Sequence, residues 1–417
     1  MLGRVLILGA GVTGLSCARK LVGHDFLILE KENEVGGYCR TIHQDGFTWD
    51  YSGHFFHFKN LGIQNEFSNL LSGSDMVYKT KKTKVYYKGS YIDAPFQYNI
   101  HQLSREDFID CLVGLFTQEQ NSHENFKAML YSKFGEGICE RFLIPYNTKL
   151  YACDLNLLDA NAMGRFFPYA KPEEIVKGFV GEKKKTYNDT FFYSRKGARA
   201  FIDEINKYVD SNRLHLNSEV IKIDLEKREV HTRDEIYCYK YLINTMPLPH
   251  FMRLANIHSE YRFTSNRVLV FNLGFDRGSE NDYHWAYFPD RDLIFYRVGF
   301  YNNILGEDKL SLYVEIGLDE RDSLDEGYLF ERTMDDLKKV GIISSHVLKS
   351  KNCVVMDPAY VHISTDSNTE KSRLKNELRN RDVFTIGRYG DWTYCSIEDC
   401  ILQAYNTVEY INSIHAI

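Results

Sequence analysis

Several features are missing from this sequence, and each absence excludes a class of protein. No run of ~18 uninterrupted apolar residues occurs, which argues against a membrane span. No charged n-region or cleavage site precedes the first predicted strand, so we expect no signal peptide. The 9 cysteines lack metal-ligand spacing, which predicts reduced thiols in a cytoplasmic protein without a metal site. A net charge of −6 gives no electrostatic case for binding nucleic acid.

Linkers are missing as well. The chain has no repeat, no low-complexity tract and no Pro/Gly-rich linker, so its domains must interleave along the sequence. Its 417 residues, of which 44% are hydrophobic, are enough for two or three domains around a large core.

A dinucleotide-binding fingerprint lies near the N-terminus. A short apolar run predicts a buried strand directly before Gly9, Gly11 and Gly14, which form a GxGxxG turn, and a helical pattern follows. Gly9 permits the tight turn, Gly11 lets the backbone approach a pyrophosphate, and Gly14 lets the helix pack on the strand. A second apolar run ends at Glu30, at the distance typical of a ribose-binding carboxylate. Together these elements predict a dinucleotide site at the helix N-terminus.

The residues after Glu30 indicate which dinucleotide binds. Residues 31–41 read KENEVGGYCRT, which places the pair Gly36-Gly37 and then Arg40 directly after the carboxylate. This arrangement resembles the glutathione-reductase-type FAD proteins, in which the GG pair brings the chain close to the cofactor. NAD-binding Rossmann domains do not usually carry the pair.

The C-terminal end of the chain agrees with a flavin. Residues 383–388 predict a strand that closes on Gly387-Arg388, and Ser396 with Asp399 forms a capping box that opens a final helix. A helix N-terminus near the isoalloxazine would stabilise negative charge on a reduced flavin.

The predicted fold class is α/β: a glutathione-reductase-type FAD-binding Rossmann domain with a helical insertion and an antiparallel β-sheet domain. Within the sheet domain, the runs 268–275, 293–300 and 310–316 predict strands, and residues 84–93 predict a hairpin. The expected domains are a discontinuous FAD-binding domain of residues 1–83, 186–255 and 380–417, a helical domain of residues 100–185, and a substrate domain of residues 84–99 and 256–379.

Seven blocks, in collinear order over nearly the whole chain, resemble the UDP-galactopyranose mutases, particularly the eukaryotic-type branch. They are YSGH at 51–54, APFQYNI at 94–100, PYNTKLY at 145–151, GR at 164–165, NDTFFYSRKG at 188–197, YFPDRDLIFYR at 287–297 and GRYGDWTY at 387–394.

The resemblance implies an activity. The family interconverts UDP-galactopyranose and UDP-galactofuranose without net redox change, for cell-surface polysaccharide biosynthesis. Reduced FAD, supplied with electrons by NADH or NADPH, attacks the anomeric carbon through N5 and forms a flavin–sugar adduct. The resemblance therefore implies an isomerase with FAD as its cofactor and a nucleotide sugar as its partner.

The resemblance also assigns roles to residues. Arg165 and Arg297 match two arginines that bind the diphosphate, and His54 matches a histidine beside the flavin; these three are the expected catalytic residues. The other expected substrate-binding residues are Gln97, Phe142, Tyr151, Asn188, Tyr287, Tyr360 and Tyr394. The expected cofactor-binding residues are Gly9, Gly11, Gly14, Glu30, Lys31, Gly37, Tyr38, Gly53, His54, Val220, Arg388 and Asp399.

The sequence departs from the family at two places. Tyr151 stands at a position beside the uracil where the family usually has Trp, and residues 395–398 read CSIE where the eukaryotic-type pattern has an asparagine. A related nucleotide sugar is therefore an alternative substrate. Two other functions stay open: a redox flavoenzyme of the amine-oxidase or protoporphyrinogen-oxidase kind, and a flavin- or nucleotide-sugar-binding protein without turnover. As isolated residues, the two arginines could equally be surface or ion-paired side chains.

Overall fold

The computed structural model describes residues 3–70, 75–118, 124–167, 169, 171–181 and 189–415. Asn188, which the resemblance assigns to the substrate, lies outside the described residues.

The described strands fall into five sheets. In chain order they are β1 (Val5–Leu8), β2 (Phe26–Leu29), β3 (Thr41–Gln44), β4 (Phe47–Asp50), β5 (Met76–Thr80), β6 (Thr83–Tyr87), β7 (Ser90–Asp93), β8 (Thr190–Ser194), β9 (Leu214–His215), β10 (Lys222–Asp224), β11 (Glu229–His231), β12 (Ile236–Cys238), β13 (Tyr241–Asn244), β14 (Arg267–Phe275), β15 (Trp285–Tyr287), β16 (Arg297–Phe300), β17 (Ser311–Leu318), β18 (Leu348–Met356) and β19 (Val383–Thr385).

The described α-helices surround these sheets. They are α1 (Val12–Lys20), α2 (Leu61–Leu70), α3 (Arg105–Thr117), α4 (Phe126–Ile138), α5 (Ile144–Tyr151), α6 (Pro172–Gly178), α7 (Arg199–Asn206), α8 (Leu248–Leu254), α9 (Tyr301–Leu305), α10 (Glu326–Lys339), α11 (Thr365–Arg379), α12 (Gly387–Gly390) and α13 (Ile397–His415). Among the described residues, no helix combines the length and the apolar character needed to cross a membrane.

A parallel sheet carries the dinucleotide fingerprint. Its order is β19-β13-β1-β2-β9, with β1 in the middle. The strands β1, β2 and β13 are buried at every position, as expected for strands covered on both faces. Helices α7 and α13 pack on α1. The loop that leaves the carboxyl end of β1 is therefore the predicted GxGxxG turn, at the edge where such sheets bind ligands.

A seven-stranded sheet, in the order β18-β14-β17-β16-β15-β6-β7, forms the second layer. The prediction of an antiparallel sheet is confirmed, apart from the parallel pairing of β6 with β15. The predicted strand 293–300 is too long, because β16 begins only at Arg297. The carbonyl groups of Asp290 and Phe295 accept hydrogen bonds from a lysine on α5 rather than from a neighbouring strand.

Candidate active site

The glycine-rich turn packs closely against the second glycine loop, at Gly37. Gly9 has φ +100°, and a Cβ on Gly14 would lie 2.0 Å from the Gly9 carbonyl oxygen. A Cβ on Gly11 would instead meet only the Cα of Gly37, at 4.0 Å. The two glycine loops thus face each other without side chains, in front of the N-terminus of α1. This arrangement fits a pyrophosphate.

Glu30 is fixed beside the same turn. Its carboxylate accepts hydrogen bonds from the backbone N–H groups of Ala10 at 2.7 Å and Glu32 at 3.0 Å, and the side chain is buried. Each carboxylate oxygen keeps a lone pair for a ribose hydroxyl. Val220 is buried against the apolar residues of β1 and β2, whereas Lys31 points to solvent and lies 3.6 Å from Glu32.

Arg388 lies at the other end of the predicted cofactor site. Gly387 has φ +81°, and its Cβ would strike Thr13 of α1, so this turn packs closely on the fingerprint helix. The Arg388 guanidinium donates to the Cys395 carbonyl at 2.9 Å and lies over the rings of Tyr394 and Tyr360, 4.6 and 5.4 Å from their centres. It has no carboxylate partner among the ion pairs of the described residues. A half-buried cation without a carboxylate partner favours an anionic ligand.

A buried carboxylate holds Arg297. Glu315 accepts from Nε of Arg297 at 2.8 Å and from Nη2 at 2.6 Å, and the Ser52 hydroxyl donates to the same carboxylate at 2.5 Å. Burial of the guanidinium lowers the pKa of Arg297, but the Glu315 charge and the neighbouring tyrosines together outweigh it, so the net shift is upward. The bidentate contact uses one edge of the guanidinium and leaves Nη1 for another acceptor.

His54 lies near this pair in a defined tautomer. Its Nδ1 lies 3.0 Å from the Ser52 carbonyl, which can only accept, so Nδ1 carries the proton and Nε2 is an acceptor. Burial lowers the pKa of His54 to about 4, so the imidazole is neutral at pH 7. The preceding Gly53 is constrained, because a Cβ there would lie 2.5 Å from the Tyr313 hydroxyl. His54 can therefore accept a hydrogen bond but not supply a charge.

The three predicted phosphate-binding tyrosines belong to one aromatic cluster. Tyr360 stacks on Tyr394, with ring centres 5.8 Å apart, and the Tyr287 hydroxyl accepts from Trp285 at 2.8 Å. Burial raises the pKa of Tyr287 and Tyr360, while the positive charge of Arg297 lowers the pKa of both by a smaller amount. Tyr287 and Tyr360 therefore stay protonated and can donate hydrogen bonds next to Arg297.

A line of stacked rings extends from this cluster towards the helical insertion. Phe142 stacks between Phe96 and Tyr146, at 5.1 and 5.2 Å. Tyr151 packs edge-on against Tyr360 at 5.8 Å, and its buried hydroxyl has no hydrogen-bond partner in the described structure. Gln97 is fully buried in the one-turn helix Phe96–Tyr98. Phe142 and Tyr151, the residues expected beside the base, thus both pack within clusters of aromatic side chains.

Arg165 occupies a different position from Arg297. Its Nη2 donates to the Asp399 carboxylate at 2.6 Å, with Ser396 and Glu398 at 3.3 and 3.4 Å, so it is held at the N-terminus of α13. The predicted cap is confirmed, because Ser396 accepts from the Asp399 backbone N–H. Tyr38, also assigned to the cofactor, accepts from the Asp357 backbone N–H at 2.8 Å.

Two residues at the site have side-chain contacts that the sequence patterns did not reveal. Glu315 is one. Its position as the single glutamate of the apolar strand SLYVEIGL could have indicated this contact, because a buried carboxylate needs a partner. Lys149 is the other: its Nζ donates to the carbonyl groups of Phe288 and Asp290 at 2.9 Å and of Phe295 at 2.5 Å. It thereby ties α5 to the loop that leads from β15 to Arg297.

We expect Lys149→Met to lower the free energy of unfolding by about 2–3 kcal/mol, because it leaves the Phe288 and Phe295 carbonyl groups without this donor, whereas Asp290 still accepts from the Leu293 N–H. Urea unfolding followed by circular dichroism measures the change. The control is Lys207→Met, which removes an exposed ammonium paired only with Glu204 on the surface, for a loss below ~0.5 kcal/mol. Equal effects from the two variants would contradict this role of Lys149.

Comparison with known proteins agrees with this geometry. The family described as flavin containing amine oxidoreductase matches residues 12–412. The chain belongs to that family. Membership implies a flavin cofactor. The glycine loops at the N-terminus of α1, the carboxylate of Glu30 and the guanidinium of Arg388 have the chemistry that its pyrophosphate, its ribose and its reduced ring respectively would need.

Solved structures share the fold over the full length. A crystal structure of reduced UDP-galactopyranose mutase has a TM-score of 0.92 and 22% identity, over 100% of this chain and 95% of that chain. A putative protoporphyrinogen oxidase from Exiguobacterium sp. 255-15 has a TM-score of 0.78 and 16% identity, over 99% of both chains. At these identities the likeness establishes the α/β flavin-binding fold.

The curated relatives match a short segment. The 4,4'-diapophytoene desaturase (4,4'-diaponeurosporene-forming) of Staphylococcus aureus (strain Newman) is 45% identical over 49 residues, which is 11% of this chain. The matched segment covers 10% of the length of that relative.

Proposed function

We propose that this protein is a flavin-dependent nucleotide-sugar mutase that interconverts UDP-galactopyranose and UDP-galactofuranose, or a closely related pair, on reduced FAD. The observation that carries the proposal is the half-buried cluster of Arg297 with the phenols of Tyr287, Tyr360 and Tyr394. A guanidinium with a free edge and several stiff hydrogen-bond donors suit a diphosphate better than an amine or a hydrocarbon. The full-length likeness to a mutase structure supports the same activity.

The residues of the chain have separate tasks in this reaction. When bound and reduced, the flavin would supply the nucleophile that attacks the anomeric carbon of the sugar. The free edge of Arg297 and the tyrosine hydroxyls bind the departing diphosphate and keep it close, so that it can rejoin the sugar after the ring changes. The aromatic clusters around Phe142 and Tyr151 hold the base, and neutral His54 accepts a hydrogen bond at the flavin.

Arg165 joins the diphosphate site only after a rearrangement. In the described conformation it is bound to Asp399, Glu398 and Ser396 at the start of α13. A diphosphate with multiple negative charges competes for this guanidinium with two carboxylates. We propose that substrate draws Arg165 away from the helix and closes the site over the diphosphate.

The decisive experiment is anaerobic conversion of UDP-galactofuranose. The FAD-loaded protein is reduced with dithionite, NADH or NADPH, and chromatography follows the formation of UDP-galactopyranose. We expect many turnovers per reduced flavin and no reaction with oxidised flavin, because the reaction has no net redox change. Equal behaviour of the oxidised and reduced protein would overturn the proposal. Oxidation of an amine or a porphyrinogen instead would identify a redox enzyme, and tight UDP binding without product a binding protein.

A further inference from the structure

Two cysteines lie in contact at the N-terminus of α13. The Sγ atoms of Cys395 and Cys400 are 3.6 Å apart, and both side chains are buried. Cys395 precedes the capping residue Ser396, and Cys400 lies at the end of the first helical turn, where its backbone N–H donates to the Ser396 carbonyl. The sulfurs need to approach by roughly 1.5 Å to reach a disulfide bond length of about 2.05 Å. Side-chain rotation and a small shift of the segment before the helix supply that movement.

The surroundings of the pair favour a reactive thiolate. The hydrogen bond from Cys395 lowers the pKa of Cys400, against the opposing effect of burial, and the Thr13 hydroxyl and Arg388 add to the lowering. Cys400 also lies in the first turn of a 19-residue helix, where the positive end of the dipole stabilises a thiolate.

Small oxidants can approach the pair from the surface on the side of Cys395. A groove of about 320 Å³ opens beside it, with Arg165, Tyr394, Cys395 and Asp399 among its lining residues. The pair is thus buried but adjacent to solvent, as expected of thiols that react with small molecules.

We propose that Cys395 and Cys400 form a reversible disulfide, and that this bond acts on Arg388 at the flavin site. The link is direct, because the carbonyl group of Cys395 accepts the hydrogen bond from the Arg388 guanidinium. Closing the disulfide moves Cys395, and Arg388 follows its acceptor. The site is a modification site and does not depend on which reaction the flavin catalyses.

The chemistry is a two-electron thiol oxidation by a peroxide. The Cys400 thiolate attacks one peroxide oxygen, the O–O bond breaks, and the departing oxygen leaves as water, giving a sulfenic acid. The Cys395 sulfur then attacks the Cys400 sulfur, the S–O bond breaks, and a second water leaves. Two thiols and one hydrogen peroxide become one disulfide and two waters. A dithiol reductant reverses the reaction by thiol–disulfide exchange.

Mass spectrometry tests the bond. The holoprotein with fully oxidised flavin is treated with hydrogen peroxide, alkylated after denaturation and digested with trypsin. Residues 389–417 form one peptide, because no Lys or Arg follows Arg388, and its cysteines are Cys395 and Cys400 alone. We expect this peptide to take up no alkyl group and to be lighter than the dithiol form by about 2 Da, the mass of two hydrogens. Dithiothreitol before alkylation should restore two alkyl groups.

Matched variants separate this pair from other thiols. Cys39 is also buried and lies close enough to Cys400 for their charges to interact. The bond should form unchanged in Cys39→Ser and fail in Cys395→Ser and Cys400→Ser. Two alkylated cysteines in the peptide while the exposed Cys238 is oxidised would overturn the proposal. A sulfinic acid at Cys400, or a bond from Cys400 to Cys39, would overturn it too.

The visible absorption spectrum of the bound flavin tests the effect on Arg388. We expect the spectrum of the oxidised flavin to shift when the disulfide closes and to return with dithiothreitol, because a half-buried cation beside the ring changes position. The double variant Cys395→Ser/Cys400→Ser should show no shift under the same treatment. A disulfide that closes without any spectral change would overturn the link to Arg388.

Discussion

Replacing Arg297 by methionine should lower kcat/KM for UDP-galactofuranose by about 10²–10³-fold, the effect of losing one preorganised donor in a catalytic site. The same change should lower the free energy of unfolding by about 3–5 kcal/mol, because removal of one partner leaves a buried charge unpaired. That charge is Glu315, which has no exposed surface and whose carboxylate is bound by Arg297 through two hydrogen bonds. One substitution therefore affects both activity and stability.

The double variant Arg297→Met/Glu315→Gln separates these two effects. With glutamine at 315 no unpaired charge is left at this position, and the Ser52 hydroxyl can still donate to the amide oxygen. We expect most of the lost stability to return, while kcat/KM stays as low as in Arg297→Met. Urea unfolding and steady-state assays on the single and double variants give the comparison. Recovery of activity with stability would show that Arg297 only neutralises Glu315 and does not bind the diphosphate.

The glycine-rich turn could be predicted because its determinants are local. Gly9 and Gly14 are required by the backbone of one strand–turn–helix unit, and Ser396 caps a helix that begins at the next residue. Such patterns are complete within a few residues of sequence. In the seven-stranded sheet, β14, β16 and β17 and the hairpin of β6 and β7 were predicted for a similar reason, from runs of apolar residues with the period of a strand, whereas β15 and β18 were not.

The partners of the charged side chains could not be predicted, because they depend on tertiary structure. Glu315 faces Arg297 across the antiparallel pair β16–β17, a register that the sequence does not give. Asp399 meets Arg165 although 234 positions separate them. The family resemblance assigned a ligand to both arginines, omitted Glu315 and assigned Asp399 to the cofactor. The carboxylates decide how each arginine acts: Glu315 fixes Arg297 through two hydrogen bonds, whereas Asp399 and Glu398 hold Arg165 at the N-terminus of α13.

Gly11→Ala should yield a folded protein that has lost its flavin. In the described structure a Cβ at this position meets only the Gly37 Cα, at the ordinary contact distance of 4.0 Å, so the cofactor-free chain accepts alanine. The methyl group would nevertheless occupy space beside the turn where the pyrophosphate would lie. Overpacking of about 1–3 kcal/mol corresponds to a loss of flavin affinity of roughly 5- to 150-fold. Flavin released by denaturation, measured per chain, gives the result.

Two further glycines make this prediction specific. Gly14→Ala puts a Cβ 2.0 Å from the Gly9 carbonyl, so this variant should lose both the flavin and the native circular dichroism spectrum. Gly327→Ala lies in the first turn of α10, where the added Cβ meets only Asp325 at 3.5 Å. It should keep its flavin and gain about 0.5–1 kcal/mol of stability from helix propensity. Normal flavin content in Gly11→Ala would mean that the pyrophosphate does not lie against the backbone at Gly11.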